Sequence, residues 1–157
     1  MSLLDDVSIV VTPNGYKAGE LYAVVPVPTE GSEEVVNGDF ATDTDWNKGT
    51  GWTISGGTAN ANTTGNFVNL YQNSVFTVGK LYKYKFTILN YSQGGVRFTQ
   101  AGNDISGEKT SDGVYTGTFT ATSTSLYMQG LNSFIGSLDN VSVKEYTAAD
   151  MDVTRAT

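Results

Sequence analysis

The sequence has 157 residues and contains neither cysteine nor histidine. Without thiols there can be no disulfide, thiolate metal site or cysteine nucleophile. Without imidazole the Ser-His-Asp arrangement and the commonest general base are also gone. Charge is scarce and one-sided: 9 basic against 16 acidic residues leave a net charge of −7, and no Lys or Arg cluster stands out. Binding to the phosphates of DNA or RNA is therefore not expected. No apolar run approaches the roughly 18 residues that a spanning helix requires, so membrane insertion is not expected. The opening Met1-Ser2-Leu3-Leu4-Asp5-Asp6 has acids where a secretory signal has Lys or Arg, and does not read as one. What survives is carboxylate-only chemistry, an oxygen-ligated cation, or a protein that binds and assembles without catalysis.

What is abundant is Thr, Tyr and Gly, a composition that suits strands and the turns between them. Aromatic residues make up 11% of a chain that is only 16% charged, which argues against disorder. The length fits one ordinary domain with an arm.

Composition changes around Pro26-Val27-Pro28-Thr29-Glu30-Gly31-Ser32-Glu33-Glu34, which reads as a linker. Before it lie two β-rich runs, residues 7–11 and 21–25, with a turn signal at Pro13-Asn14-Gly15. Residues 1–34 are too few for a core of their own, and read as an arm that gains order against other surfaces. Its apolar contacts would be Leu3, Ile9, Val11, Tyr16, Leu21 and Tyr22.

Residues 35–146 read as successive short strands. In 81–89, Tyr82, Tyr84, Phe86 and Ile88 alternate with Lys83, Lys85 and Thr87, so the first set faces a core and the second faces water. Further strands are expected at 53–54, 67–71, 75–78, 95–100, 113–122, 125–128 and 138–146, with a hairpin at Gly94-Gly95. No segment has helical period. The expected fold is all-β, an antiparallel β-sandwich carrying an extended N-terminal docking arm.

Val36-Asn37-Gly38-Asp39-Phe40, Trp46, Gly51-Trp52-Thr53-Ile54-Ser55-Gly56-Gly57, Phe76-Thr77-Val78-Gly79-Lys80-Leu81-Tyr82 and Gly136-Ser137-Leu138-Asp139-Asn140-Val141-Ser142-Val143 follow one another in an order that resembles the jelly-roll carbohydrate-binding modules of bacterial glycanases. The resemblance implies a jelly roll over residues 35–146. Outside it, Ser2-Leu3-Leu4-Asp5, Pro13-Asn14-Gly15-Tyr16-Lys17-Ala18-Gly19-Glu20-Leu21-Tyr22 and the terminal Thr154-Arg155-Ala156-Thr157 resemble tailed-bacteriophage virion proteins, especially fibres and appendages. That second resemblance implies a virion location, docking on capsid, neck or tail proteins, homo-oligomerisation, and a C-terminal segment, 147–157, that leads into further chain.

Sugar recognition would use exposed rings and nearby amides. The candidate platforms are Trp46, Tyr71, Tyr91 and Phe134, while Trp52, Tyr82, Tyr84 and Phe86 read as core. Trp46 reads equally as core or platform; Tyr91, beside Asn90 and Ser92 at a strand end, is the best exposed candidate, although an ordinary loop tyrosine is the favoured reading. The module resemblance also implies a structural Ca²⁺ held by Asp39 and Asp139, but Ala41 stands where that pattern commonly has an acid, so a turn-capping Asp is the favoured reading. No other cofactor is expected. The functional expectation is a non-enzymatic virion protein that displays its sandwich outward, with weak adhesion to host glycan; the alternative is a free carbohydrate-binding module.

Overall fold

Alternation of large apolar residues with Lys and Thr predicts sheet, and sheet is what forms. The computed structural model describes residues 15–17, 20–22 and 28–148. Every regular element in them is a β-strand, and every strand pairing with a stated register is antiparallel.

The chain divides into two units, a body of Glu30–Thr147 and a unit comprising Met1–Thr29 and Ala148–Thr157. In the second unit β1 (Gly15–Lys17) pairs with β2 (Glu20–Tyr22), placing Tyr16 opposite Leu21 and Lys17 opposite Glu20. Gly15 is in strand β1, and Pro13 and Asn14 lie outside the described residues. The run 7–11, with Leu3, Ile9 and Val11, lies outside the described residues.

The body contains β3 (Thr29–Glu33), β4 (Asn47–Lys48), β5 (Trp52–Ser55), β6 (Thr58–Asn62), β7 (Val68–Gln72), β8 (Leu81–Gln100), β9 (Asn103–Asp104), β10 (Gly113–Thr120) and β11 (Leu126–Thr147). Two very long strands, β8 and β11, organise it. The first half of β8 pairs with β10 and with the second half of β11; its second half pairs with Tyr127–Leu131 and β9. β7 joins the first half of β11 and carries β4, whereas β6 and then β5 join at Ile135–Leu138.

The pairing of the two long strands shifts between Leu131 and Ser137 on β11, and again between Asp139 and Ser142; the first of these is where both strands bend. Asn90, Gly94, Asn132 and Ser133 have positive φ there. Gly94 is required: a Cβ would stand 2.4 Å from the Leu131 carbonyl oxygen, with φ at +69°. The expected hairpin at Gly94-Gly95 is thus a bend inside one continuous strand, because the backbone stays paired to β11 on both sides of it.

Other expectations also change. Residues 75–78 are not a strand; Val75 and Phe76 are buried, but both their N–H groups donate to the Thr124 carbonyl oxygen, at 2.7 and 3.0 Å, instead of a ladder. β6, Thr-Ala-Asn-Ala-Asn, has only Thr58 as a strand-favouring residue, yet its Ala59 and Ala61 are buried opposite Ile54 and Trp52, whose bulk fills the space. The segment that reads as a linker is strand β3, paired to β11. Glu33 fixes it there: its carboxylate accepts from the Val143 N–H at 2.7 Å and the Ser142 hydroxyl at 2.5 Å.

The core is aromatic. Phe98 sits 4.9 Å from Phe119, 5.4 Å from Tyr84 and 6.3 Å from Phe76 between ring centroids. Tyr82, Tyr84, Phe86 and Trp52 are buried, as alternation predicts. Among the described residues no buried side-chain polar atom lacks a partner. Gln72, for example, is buried but bonds both the N–H and the carbonyl oxygen of Val36.

The Val-Asn-Gly-Asp-Phe motif now has a physical meaning. A Cβ on Gly38 would lie 1.9 Å from the Val141 carbonyl oxygen, and the Val141 N–H donates to the Gly38 carbonyl oxygen at 2.8 Å. Only glycine lets the two segments touch. Gly38→Ala is expected to lower stability by about 1–3 kcal/mol or more, since backbone rather than a flexible side chain must yield; an unchanged thermal midpoint would refute this packing.

Candidate functional site

Period two gives β7 two faces. Val68 and Leu70 point to the core, leaving Asn69 and Tyr71 on the outer face with Phe67 just ahead of them. Register then builds two rows across that face. Asn47, Tyr71, Tyr127, Thr99 and Asp104 are successive cross-strand partners, and so are Asn69, Gln129 and Arg97. Tyr71 and Tyr127, both half-buried, stack with centroids 5.3 Å apart and planes at 25°.

The second row is a chain of fixed polar groups. Arg97 donates to Gln129 Oε1 from Nε at 3.1 Å and from a terminal nitrogen at 2.8 Å, and to Asp104 at 3.1 Å. Gln129 Nε2 in turn donates to Asn69 Oδ1 at 3.1 Å. The guanidinium thereby orients one amide, and that amide orients the next. Asn69 Nδ2 has no protein acceptor among the described residues and keeps both of its N–H donors for a ligand or water.

Phe67 stands out on this face. It is 60% exposed and has φ of +62°, a conformation costing about 1–3 kcal/mol for a residue with a side chain. Its loop is nevertheless pinned to the β11 bend. The Thr63 N–H and hydroxyl both donate to the Phe134 carbonyl oxygen, at 3.0 and 3.1 Å; Ser133 N–H donates to the Gly65 carbonyl oxygen at 2.8 Å; Asn132 N–H donates to Asn66 Oδ1 at 2.6 Å. The Arg97 guanidinium carbon lies 5.9 Å from the centre of the Phe67 ring. Phe67, Asn69, Tyr71, Lys48 and Thr64 line an open groove of about 670 Å³. A fixed exposed ring beside oriented amides suits a flat ligand with one apolar face and a hydroxylated edge.

The sequence-predicted platforms fare differently. Trp46 and Phe134 are buried, 6% and 0% exposed, and cannot offer a ring face to a ligand. Trp46 packs on Phe40 at 5.2 Å and donates its indole N–H to the Asn37 carbonyl oxygen at 2.9 Å. Phe134 packs on Trp52 at 6.0 Å. Tyr91 is half-buried against the core and donates its hydroxyl to the Gly94 carbonyl oxygen at 2.9 Å, which props the β8 bend. Of the rings named from sequence, Tyr71 alone lies on the face just described; Phe67, Tyr127, Arg97 and Gln129 were not anticipated.

Asp39 accepts from the Ala41 N–H at 3.4 Å, and Asp139 accepts from the Asn140 N–H and side-chain amide at 2.6 and 2.8 Å. Each serves its own turn. Among the described residues no group of three or more acidic side chains is placed to hold a metal.

A second groove, about 570 Å³, lies where β3, β8, β10 and β11 meet and is lined by Glu30, Glu33, Lys83, Lys85 and Lys144. It presents ion pairs: Glu30 lies 2.5 Å from Lys83 and 3.7 Å from Lys144. The hydrogen bond and charge of Lys83 hold the Glu30 carboxyl below the usual carboxylate range, and Glu30 raises the Lys83 ammonium in turn. A depressed carboxyl stabilises the fold above its unfolded-state pKa, and that contribution disappears as pH falls through the lowered value. Glu30→Gln is therefore expected to melt slightly below the wild type at neutral pH and equally with it in strong acid, the difference shrinking with salt. An equal difference at all pH values would assign Glu30 a role other than charge.

No protein-family model matches this chain, and no curated protein matches it significantly. The functional reading therefore rests on the residues and the face they build.

Proposed function

We propose that this chain is a structural, non-enzymatic virion protein of a tailed bacteriophage, docked through its terminal segments and displaying the β-sandwich outward as a weak glycan-binding domain. The observation that carries the proposal is the pairing of the body's first strand, β3, with its last, β11. The Glu34 N–H donates to the Val143 carbonyl oxygen at 2.9 Å, so the chain enters and leaves the body side by side. That is the geometry an insert needs if it is to interrupt another structure without spreading its two ends. It agrees with the virion-like residues at both termini, including Tyr16, Leu21 and Tyr22 of the arm, and with the jelly-roll kinship that residues 35–146 imply.

Weak sugar binding is assigned to the Phe67, Tyr71 and Tyr127 face. Repetition of such a site on one particle would turn weak contacts into retention at a host surface. A free carbohydrate-binding module would use the same face without any role for the termini.

Removing residues 2–27 tests the docking part. The deletion stops before β3 because Glu33 and Val35 belong to the body's packing. Loss of the chain from purified particles, with the body's melting temperature unchanged, is the expected result. Normal incorporation would eliminate the docking role.

A further inference from the structure

A sheet with free edges is a template for strand addition, and natural sheets blunt their edges by shortness, charge or cover. Here four edges are blunted. β4 and β9 are two residues long and contain Lys48 and Asp104; β5 has four residues; β3 contains Glu30 and Glu33. β10 is the exception. It terminates the order β10-β8-β11-β6-β5, runs for eight residues, Gly113–Thr120, and pairs only with β8 among the described residues. It has no charge and no proline, and the sequence has no charged residue between Asp112 and Asp139. On its outer face Val114 is 62% exposed and Thr116, Thr118 and Thr120 follow at period two, all exposed.

We propose that β10 is an interface between two copies of this chain, joined by antiparallel β10–β10 pairing about a two-fold axis. A second copy is the occupant because the strand itself carries no charge and no aromatic on its outer face, and its own sequence is a complementary partner in antiparallel register; Val114 and Thr116 also border the ion-paired groove, whose charges come from β3, β8 and β11 and not from this edge. Whole chains at net charge −7 repel each other, so an uncharged edge is where two can meet. Antiparallel self-pairing also keeps like with like. Centred on Gly117, it sets Val114 opposite Thr120 and Thr116 opposite Thr118 on the outer side, and Tyr115 opposite Phe119 on the inner side. These are β-branched and aromatic pairs of the kind that stabilise antiparallel ladders. Asp112 of each copy then falls beyond opposite ends of the joint ladder, so the two carboxylates stay apart. An isologous contact of this type closes at two copies. It does not use the Phe67 face, so it stands or falls separately from glycan binding.

Sedimentation of the full chain from about 1 µM to about 1 mM should show a monomer–dimer equilibrium. Amide exchange in the wild type should gain protection with concentration at residues 113–120 and not at the other edges. The double variant Val114→Lys, Thr118→Lys places lysines on exposed positions of the edge and should weaken dimerisation at least tenfold, while Thr118→Val should leave it intact. A chain that stays monomeric throughout overturns the proposal. So does an oligomer whose protection maps elsewhere or whose dissociation constant is unmoved by the lysines.

Discussion

Phe98→Ala is expected to cost about 3–5 kcal/mol, the range for removing a buried aromatic ring. The physical reason is position. Phe98 lies on the second half of β8, is 1% exposed, and meets Phe76 from the buried segment between β7 and β8, Tyr84 from the first half of β8, and Phe119 from β10. One ring thus ties the two halves of a bent strand together and both to the β10 edge. Neighbouring rings are held in place by bonds such as the one that the Thr77 N–H donates to the Tyr82 hydroxyl oxygen at 3.0 Å. Domains of this size are stable by about 5–15 kcal/mol, so the variant should lose at least about a fifth of its margin. Denaturant titration gives the number directly; a loss below about 1 kcal/mol would mean that Phe98 is not at the centre of the core.

Phe67→Ala should have the opposite signature, leaving the fold intact and removing glycan retention. Phe67 is exposed, and the hydrogen bonds that hold its loop use Thr63, Gly65 and Asn66 rather than its ring. Loss of a central anchor ring is worth about 2 kcal/mol, or roughly 30-fold in affinity. Tyr127→Ala should weaken retention less, because its ring is half-covered by Tyr71. Affinity electrophoresis against host polysaccharides measures both. Equal retention of Phe67→Ala and wild type on a polysaccharide that retains the wild type would move the ligand to another face. Phe67→Trp supplies the control, since a larger ring in the same place should keep binding.

Strand character was legible wherever alternation was clean. Tyr82, Tyr84, Phe86 and Ile88 declared their face because Lys and Thr separate them. It was illegible where the sequence shows only a glycine pair: Gly94-Gly95 signals a reversal, but pairing to β11 on both sides makes it a bend. β3 was hidden for a different reason. Glu and Ser look like linker until Glu33 is seen bonding β11, more than a hundred residues away in sequence. For the candidate face, a tryptophan between polar residues left exposure and burial equally open, and the structure decides for burial: Trp46 satisfies its indole N–H locally and buries its ring. The signal that could have found the face was in β7: Val68 and Leu70 already fill the core side, so Tyr71 and the adjacent Phe67 had to be accommodated outside. Nothing local predicts that Arg97, Gln129 and Asn69 form one chain of bonds, since only strand register brings them together.

The most direct test of the virion assignment is a cryo-electron microscopy map of the purified particle expected to contain this chain, traced from residue 1. The account predicts the terminal segments against a capsid, neck or tail protein, with the Glu30–Thr147 body projecting and Phe67 facing solvent. A particle that lacks the chain, or holds it with the Phe67 face packed against another virion protein, would contradict it.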